Sequence, residues 1–370
     1  MTTPHHNDST DASSRPESLR QWARSLRALD LEVAVRATLA MVVPLVVLAL
    51  LGRIDWAVYA TFGGMTALFG RGEPYKLRAR SVSIAAVGML GSIAFGVGMA
   101  AIGAPLALLT LGLMFVIVLG VLLISTAGLF PGTPLFFVFA YTVCAQVPTD
   151  PADVLPSLVV GVAGAAFAWT VTMSGWAVRR AAADRSAALF KELPRHPRIN
   201  PAAYRDKLVW LSIGQMLVGV LVAGGLAILV GIGHPYWAVV SVVAVLPPPG
   251  ARHSTARAFH RIFGTVAGVL LTALILLPGP PVWVLILTIA IGQFGAEILI
   301  GRHYGAALLF ITPLALSVSH LASPAPVSEL LVDRVVETAL GGAVALVVVL
   351  VSRAALARAA RRQAPSAPSA

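Results

Sequence analysis

Six cationic residues stand at matching positions in the two halves of the sequence, in a pattern suited to binding anions. They form two groups with identical spacing, namely Arg71, Lys76 and Arg80, and Arg252, Arg257 and Arg261. An arginine guanidinium is planar and can donate two parallel hydrogen bonds to one carboxylate. We therefore expect these six side chains to bind a carboxylate-bearing substrate. The alternative is that they are ordinary cations at the membrane surface, where they contact anionic lipid headgroups.

The segments that carry these cations repeat one another and are unusual as membrane spans. Residues 55–83, DWAVYATFGGMTALFGRGEPYKLRARSVS, align without a gap with residues 236–264, YWAVVSVVAVLPPPGARHSTARAFHRIFG. The second segment has 11 apolar residues before its three prolines; these give about 16 Å of helix, too short to cross about 30 Å of hydrocarbon. Its counterpart is interrupted by Gly63 and Gly64. Interrupted helices at matching places in two halves are typical of a transporter's binding site.

Two glutamates inside apolar segments are candidates for proton coupling. Glu297 lies near the end of one segment, and Glu337 lies near the start of another. An ionised side chain costs at least about 2.5–3.5 kcal/mol at the bilayer centre unless it is paired or hydrated, so such residues are often functional. Two local alternatives stay open: Glu297 pairs with Arg302, or Glu337 fixes a helix end together with Asp333 and Arg334.

Membrane-spanning helices must position these residues. The chain is 58% hydrophobic and 12% charged, whereas soluble proteins carry about 25% charged residues. We predict an all-α polytopic integral membrane protein with about twelve transmembrane helices, arranged as two parallel six-helix repeats. The predicted spans are 33–51, 54–69, 81–103, 105–124, 128–147 and 154–177, then 208–230, 235–249, 262–278, 281–300, 303–320 and 331–352. Small-residue runs at 161–168 and 341–347 predict close helix packing.

The distribution of charge predicts how the chain crosses the membrane. With both termini in the cytoplasm, 24 of the 27 Lys and Arg residues fall on the cytoplasmic side, in agreement with the positive-inside rule. We predict a multi-pass membrane protein with both termini in the cytoplasm. Its parts are a cytoplasmic N-terminal tail (1–30), a first membrane repeat (31–178), a cytoplasmic linker (179–206), a second membrane repeat (207–353) and a cytoplasmic C-terminal tail (354–370). Arg36 follows Glu32 by four residues in the first span, which predicts an ion pair.

Several function classes are disfavoured by the sequence. The net charge of +11 lies in the segments between apolar runs, as in membrane proteins, so we expect no binding to nucleic acid. The sequence has no Walker, HExxH or GxSxG motif, and we expect neither enzymatic activity nor a cofactor. The single cysteine, Cys144, cannot form an internal disulfide or a cysteine-based metal site. We therefore expect no metal.

Three stretches of the second half together carry a family resemblance. They are HPYWAVVSVVAVLPPPGARHSTARAFHRIFGTVAG (234–268), GRHYGAALLFITPLAL (301–316) and DRVVETALGGAVAL (333–346). In this order they resemble the fusaric-acid-resistance family, within the aromatic acid exporter superfamily. The resemblance implies an inner-membrane exporter of aromatic or other organic acids, with a distant likeness to plant malate channels. It also implies substrate contacts at Arg257, Arg261, Tyr304 and Thr312.

The chain departs from the larger bacterial members of that family, which carry a sizeable soluble domain where this chain has a short polar linker. From the residues and the resemblance together, we predict secondary efflux of organic anions, with aromatic carboxylates as the leading class. An anion channel and a non-transporting membrane scaffold stay open as alternatives. The expected partners are small organic anions and membrane lipids, and a homodimer stays open.

Overall fold

The computed structural model describes residues 28–181, 193–231, 233, 235–251, 254–322 and 326–363. Over these residues the fold is all-helical, with twelve α-helices and four short 3-10 helices. In chain order the α-helices are α1 (Ala28–Leu50), α2 (Ala57–Gly64), α3 (Tyr75–Ala101), α4 (Leu106–Ala127), α5 (Leu135–Cys144), α6 (Val154–Ala181), α7 (Lys207–Leu229), α8 (Tyr236–Val245), α9 (Thr255–Leu276), α10 (Val282–Leu299), α11 (Tyr304–Ala322) and α12 (Val327–Gln363).

Nine of the helices in the described part of the chain are long and apolar enough to cross a membrane. The other three, α2, α5 and α8, have 8, 10 and 10 residues. Nine such helices in one chain confirm that this is a polytopic membrane protein, because each can satisfy its own backbone hydrogen bonds in hydrocarbon.

The short helices agree with the sequence prediction at two places and differ at a third. Both α2 and α8 are short, as the glycine pair and the proline triplet predicted. The fifth predicted span, 128–147, was wrong in its extent because the helix there begins only at Leu135. Gly128 ends α4 in a left-handed conformation with φ of 66°. Pro131 and Pro134 follow, and they lack the N–H groups that would continue a helix.

The two short helices α2 and α8 are enclosed by longer ones. Every residue of both helices is buried. Glycines make this possible: a Cβ at Gly164 of α6 would lie 2.7 Å from the carbonyl oxygen of Ala60, and a Cβ at Gly341 of α12 would lie 2.9 Å from Cβ of Ser241. The close packing predicted from the small-residue runs is confirmed, and it holds α2 against α6 and α8 against α12.

Among the described residues, four pairs of α-helices make the main contacts between the two halves of the chain. Helix α1 packs against α10 and α4 packs against α7, while α2 contacts α11 and α5 contacts α8. The turns at 70–74, 128–133, 246–251 and 300–303 meet at one end of this bundle. We call it the basic end, because Arg71, Arg257 and Arg302 lie there.

Candidate functional site

A cavity of about 900 Å³ lies at the basic end, between the two halves of the chain. The first half contributes Asp30 of α1, Arg71 of the α2–α3 turn and the residues between α4 and α5. The second half contributes the α8–α9 segment, the start of α9 and the end of α10. Pro247 and Pro248 form part of the wall, so the proline triplet that interrupts the eighth predicted span lies beside this cavity.

Two arginines and two carboxylates form a network on the cavity wall. Arg71 donates from Nη2 to Oδ1 of Asp30 at 2.6 Å and from Nη1 to Oε2 of Glu297 at 3.4 Å. Arg302 donates to the other oxygen of Asp30 at 3.3 Å, and Gln293 donates to the other oxygen of Glu297 at 3.3 Å. Arg71 thus already holds the kind of group that a carboxylate substrate would present.

This network bears on the alternatives that the sequence left open for Glu297. Its carboxylate contacts Arg71, which lies 226 positions earlier in the chain, and Arg302 contacts Asp30. The role of Glu297 in proton coupling stays a prediction. Asp30 was missed, since its position before the first apolar run placed it in the predicted N-terminal tail.

Three of the predicted substrate contacts in the second half come together around Tyr304. Arg257 lines the cavity, donates to the carbonyl oxygen of Ala244 at 2.7 Å and places its guanidinium 4.2 Å from the centre of the Tyr304 ring. Arg261 is only 4% exposed. It approaches the Tyr304 hydroxyl at 3.5 Å and the Ser241 hydroxyl at 3.4 Å. Tyr304 thus connects an arginine in the cavity with one buried behind it.

The remaining predicted cations lie elsewhere. Arg80 donates to the carbonyl oxygen of Pro197 in the linker at 2.9 Å, and Lys76 is exposed on α3. Arg252 lies outside the described residues. Of the six matched positions, Arg71 and Arg257 line the cavity. Arg80 and Arg261 occupy equivalent sequence positions but have different contacts.

A group of charges behind the α2–α3 turn, in which Arg36 and Arg78 are buried, supports the turn that carries Arg71. The predicted ion pair of Arg36 with Glu32 is present at 3.9 Å. Arg78, which sequence reasoning missed, is fully buried and contacts Glu32 at 2.9 Å. Gly70 in the turn has φ of 74°, and a Cβ there would lie 2.8 Å from Cγ of Arg78. Since only glycine adopts this conformation freely, the turn that presents Arg71 can close over Arg78.

The described part of the linker closes the basic end on the side of the first half. The backbone N–H of Arg195 donates to the carbonyl oxygen of Gly72 at 3.0 Å, and its side chain donates to that of Gly128 at 2.8 Å. The Arg195 side chain also lies 3.9 Å from the fully buried carboxylate of Glu73. Burial lowers the pKa of Arg195, and the nearby Glu73 opposes that shift. The linker therefore fixes two turns that border the cavity.

Replacing Arg195 with alanine tests this role of the linker. We expect the free energy of unfolding to fall by about 1–3 kcal/mol, because Glu73 would stay buried without its nearby cation. Thermal unfolding in detergent measures the change. The control is Arg198→Ala, since Arg198 is exposed in the same segment and should change the stability by less than about 0.5 kcal/mol. Equal stability of both variants would contradict a fixing role for Arg195.

Aromatic side chains from the three short helices fill the middle of the bundle. The ring centres of Phe62 in α2 and Phe139 in α5 are 5.1 Å apart, and those of Phe139 and Trp237 in α8 are 5.2 Å apart. Phe62 and Trp237 are each 1% exposed. These rings lie between the cavity and the opposite end of the bundle, because Phe136, one turn before Phe139 on α5, lines the cavity.

The second proton-coupling candidate, Glu337, stabilises the start of α8. Its Oε2 accepts a hydrogen bond from the backbone N–H of Trp237 at 3.0 Å, and so satisfies one of the N–H groups that a helix leaves without a partner at its first turn. Arg334 places its guanidinium 3.7 Å from the centre of the Trp237 ring. Glu337 and Arg334, which the sequence suggested as fixing the start of α12, thus contact the neighbouring helix α8.

Comparison with known proteins finds a family match in the second half of the chain. Residues 209–348 match the family model described as fusaric acid resistance protein-like, which confirms the resemblance over those residues. The chain is 31% identical over 139 residues to the uncharacterized membrane protein YvaC of Bacillus subtilis (strain 168), covering 36% of this chain and 21% of that protein. It is 34% identical over 136 residues to the uncharacterized protein slr1298 of Synechocystis, covering 36% of this chain and 17% of that protein.

The aligned part of the chain thus spans about a fifth of the length of these curated relatives. No solved structure matches the chain significantly. The matches support a transporter-type membrane protein.

Proposed function

We propose that this chain, whose residues 209–348 match the fusaric acid resistance protein-like family, is a secondary transporter that exports organic anions, with aromatic carboxylates as the leading substrate class. The observation that carries this proposal is the cavity at the basic end, where Arg71 contacts Asp30 and Glu297. An incoming carboxylate can replace one of these carboxylates on Arg71, because the chemistry of the contact is the same. The cavity, at about 900 Å³, has room for an aromatic acid, since pockets for small molecules measure about 300–1,000 Å³.

The proposal includes two parallel repeats of six helices, α1–α6 and α7–α12. Their helix pairs support it. The pairs α1–α2, α2–α6, α3–α5, α3–α6, α4–α5 and α1–α6 have counterparts in α7–α8, α8–α12, α9–α11, α9–α12, α10–α11 and α7–α12. The positive-inside rule would place the basic end and both termini in the cytoplasm, so the protein would lie in the plasma membrane with its cavity facing the cell interior.

The mechanism begins with collection of the anion at the basic end. Arg71 and Arg257 attract the carboxylate, and Glu297 then loses its contact with Arg71. A carboxylate in a buried position without its cation readily takes up a proton, which makes Glu297 the candidate for coupling to protons. If the anion crosses without that proton, the membrane potential favours its exit, since moving one negative charge out of a negative interior gains about 2.3 kcal/mol per 100 mV.

The contact between Phe62, Phe139 and Trp237 favours a carrier over an open channel. The ring centres lie 5.1 and 5.2 Å apart, and in this proposal an anion that leaves the cavity passes only after these rings separate. Conformational steps of this kind occur on microsecond to millisecond timescales. An anion channel would instead show a conductance that follows the anion gradient, and a scaffold would move no anion.

The test is efflux of radiolabelled benzoate from proteoliposomes that contain the purified protein. We expect efflux above that of protein-free liposomes, and we expect the rate to rise when a proton gradient is imposed across the membrane. Efflux of malate from the same liposomes tests whether the protein prefers dicarboxylates, as a malate channel would. Planar-bilayer recording of the same preparation separates a carrier from a channel. If neither benzoate nor the other aromatic and dicarboxylic acids move, the proposed function is wrong.

A further inference from the structure

The second half buries positive charge that the cavity at the basic end does not use. Arg261 of α9 and Arg334 of α12 are 4% and 1% exposed, and their guanidinium groups interact electrostatically. Glu337 is a carboxylate that acts on Arg334, and Asp333 lies beside Gly233 at the turn between α7 and α8. Two buried cations thus lie near one another. Like charges in the interior are costly and favour the binding of an ion of opposite sign.

Unused hydrogen-bond donors lie on the facing helices α8 and α12. Among the described residues, Nε and Nη1 of Arg334, Nε1 of Trp237 and the hydroxyl of Thr338 are buried without a hydrogen-bond partner. Thr338 follows Arg334 by four residues and so lies on the same face of α12. The Trp237 ring lies under the Arg334 guanidinium at 3.7 Å. Buried donors without partners are rare in proteins, and a carboxylate or another anion accepts hydrogen bonds from all of them.

A chain of contacts connects this place with the cavity. Arg257 lines the cavity and stacks on Tyr304. The Tyr304 hydroxyl lies 3.5 Å from Nη1 of Arg261, and both Arg261 and Tyr304 act electrostatically on Arg334. Arg257 is thus exposed at the cavity, while Arg261 and Arg334 are both buried. Tyr304 is the neighbour that they share.

We propose that the second half contains a buried anion site between Arg261 and Arg334, which receives the substrate carboxylate from the cavity through Arg257 and Tyr304. This inference rests on the proposed function and deepens it, because it moves the route of the carboxylate from between the halves into the second half. Thr338 and the Trp237 indole N–H donate to the bound anion. Glu337 keeps the start of α8, and with it Trp237, in place.

The sharpest test is Thr338→Val, with Thr272→Val as the matched control. Valine has nearly the shape of threonine and removes only the hydroxyl. Thr272 is equally buried, but its hydroxyl donates to the carbonyl oxygen of Gly268 at 2.7 Å within α9. We expect Thr338→Val to slow benzoate efflux about tenfold and to leave the melting temperature unchanged. Thr272→Val should keep the wild-type rate of efflux.

A second set of variants tests the charge of Arg334. Arg334→Gln should lower efflux more than Thr338→Val does, and Arg334→Lys should recover part of the rate because it restores the charge. If Arg334→Gln does not fold, Thr338→Val and Arg334→Lys decide the matter. Wild-type efflux in Thr338→Val overturns the buried site but leaves the proposed function standing. Absence of efflux from the wild-type protein overturns both.

Discussion

Replacing Arg71 with glutamine is expected to reduce benzoate efflux about 30-fold or more, because removing one member of a largely buried charge pair costs about 2 kcal/mol or more. Arg71 is 19% exposed and contacts both Asp30 and Glu297. Glutamine removes the charge that attracts the substrate and leaves those two carboxylates facing one another. Efflux from proteoliposomes and equilibrium binding of benzoate to the purified protein measure the two parts of this effect.

The matched control for Arg71→Gln is Lys76→Gln. Lys76 is exposed and is the second residue of α3, and it belongs to the same group of cations in the sequence. It should affect efflux less than about twofold, since single exposed charges contribute little. Equal losses in both variants would show that general positive charge at the basic end, and not the site at Arg71, governs transport.

The second large effect is expected at the contact between α8 and α12. Gly341→Ala places a Cβ 2.9 Å from Cβ of Ser241 and in conflict with the carbonyl oxygen of Ala238. Neither neighbour can move away easily, because Ala238 belongs to a short helix that is buried on every side. We expect the free energy of unfolding to fall by about 3 kcal/mol, which corresponds to roughly 10 °C in melting temperature.

Gly214→Ala provides the comparison for Gly341→Ala. Gly214 also lies inside a helix, α7, but a Cβ there would meet no atom within 4 Å. Alanine is a better helix former than glycine by about 1 kcal/mol, so this variant should be as stable as the wild type or more stable. Thermal unfolding of both variants in the same detergent gives the answer. A melting temperature for Gly341→Ala equal to that of Gly214→Ala would contradict the close packing of α8.

Local features of the fold could be predicted from the sequence. The shortness of α2 and α8 follows from Gly63, Gly64 and the proline triplet, since helix interruption depends on the residues at the interruption itself. The same rule could have shortened the fifth span at Pro131 and Pro134. The fifth span was nevertheless predicted at full length, because its apolar composition alone indicated a helix that crosses the membrane.

Partners of the charged residues could not be predicted in the same way. Arg71 was found through its match with Arg252, but its partners Asp30 and Glu297 lie 41 and 226 positions away in the chain. No spacing rule relates residues at such separations. Arg80 and Arg261 show the converse limit: a repeated sequence position keeps the cation but does not keep its neighbours, so one binds the linker and the other binds Ser241.

The linker has a consequence for how the two halves can move. Its described contacts through Asn200 are made to the first half, at Gly72, Arg80, Thr126 and Gly128. The 3-10 turn Ala203–Arg205 then leads through Asp206 directly into α7. Residues 193–200 are therefore bound to the first half, and the 3-10 turn contacts both α4 and α7. If the halves rock against one another, as the proposed carrier requires, the joint would lie at this turn, between Asn200 and Lys207, and not along the whole linker.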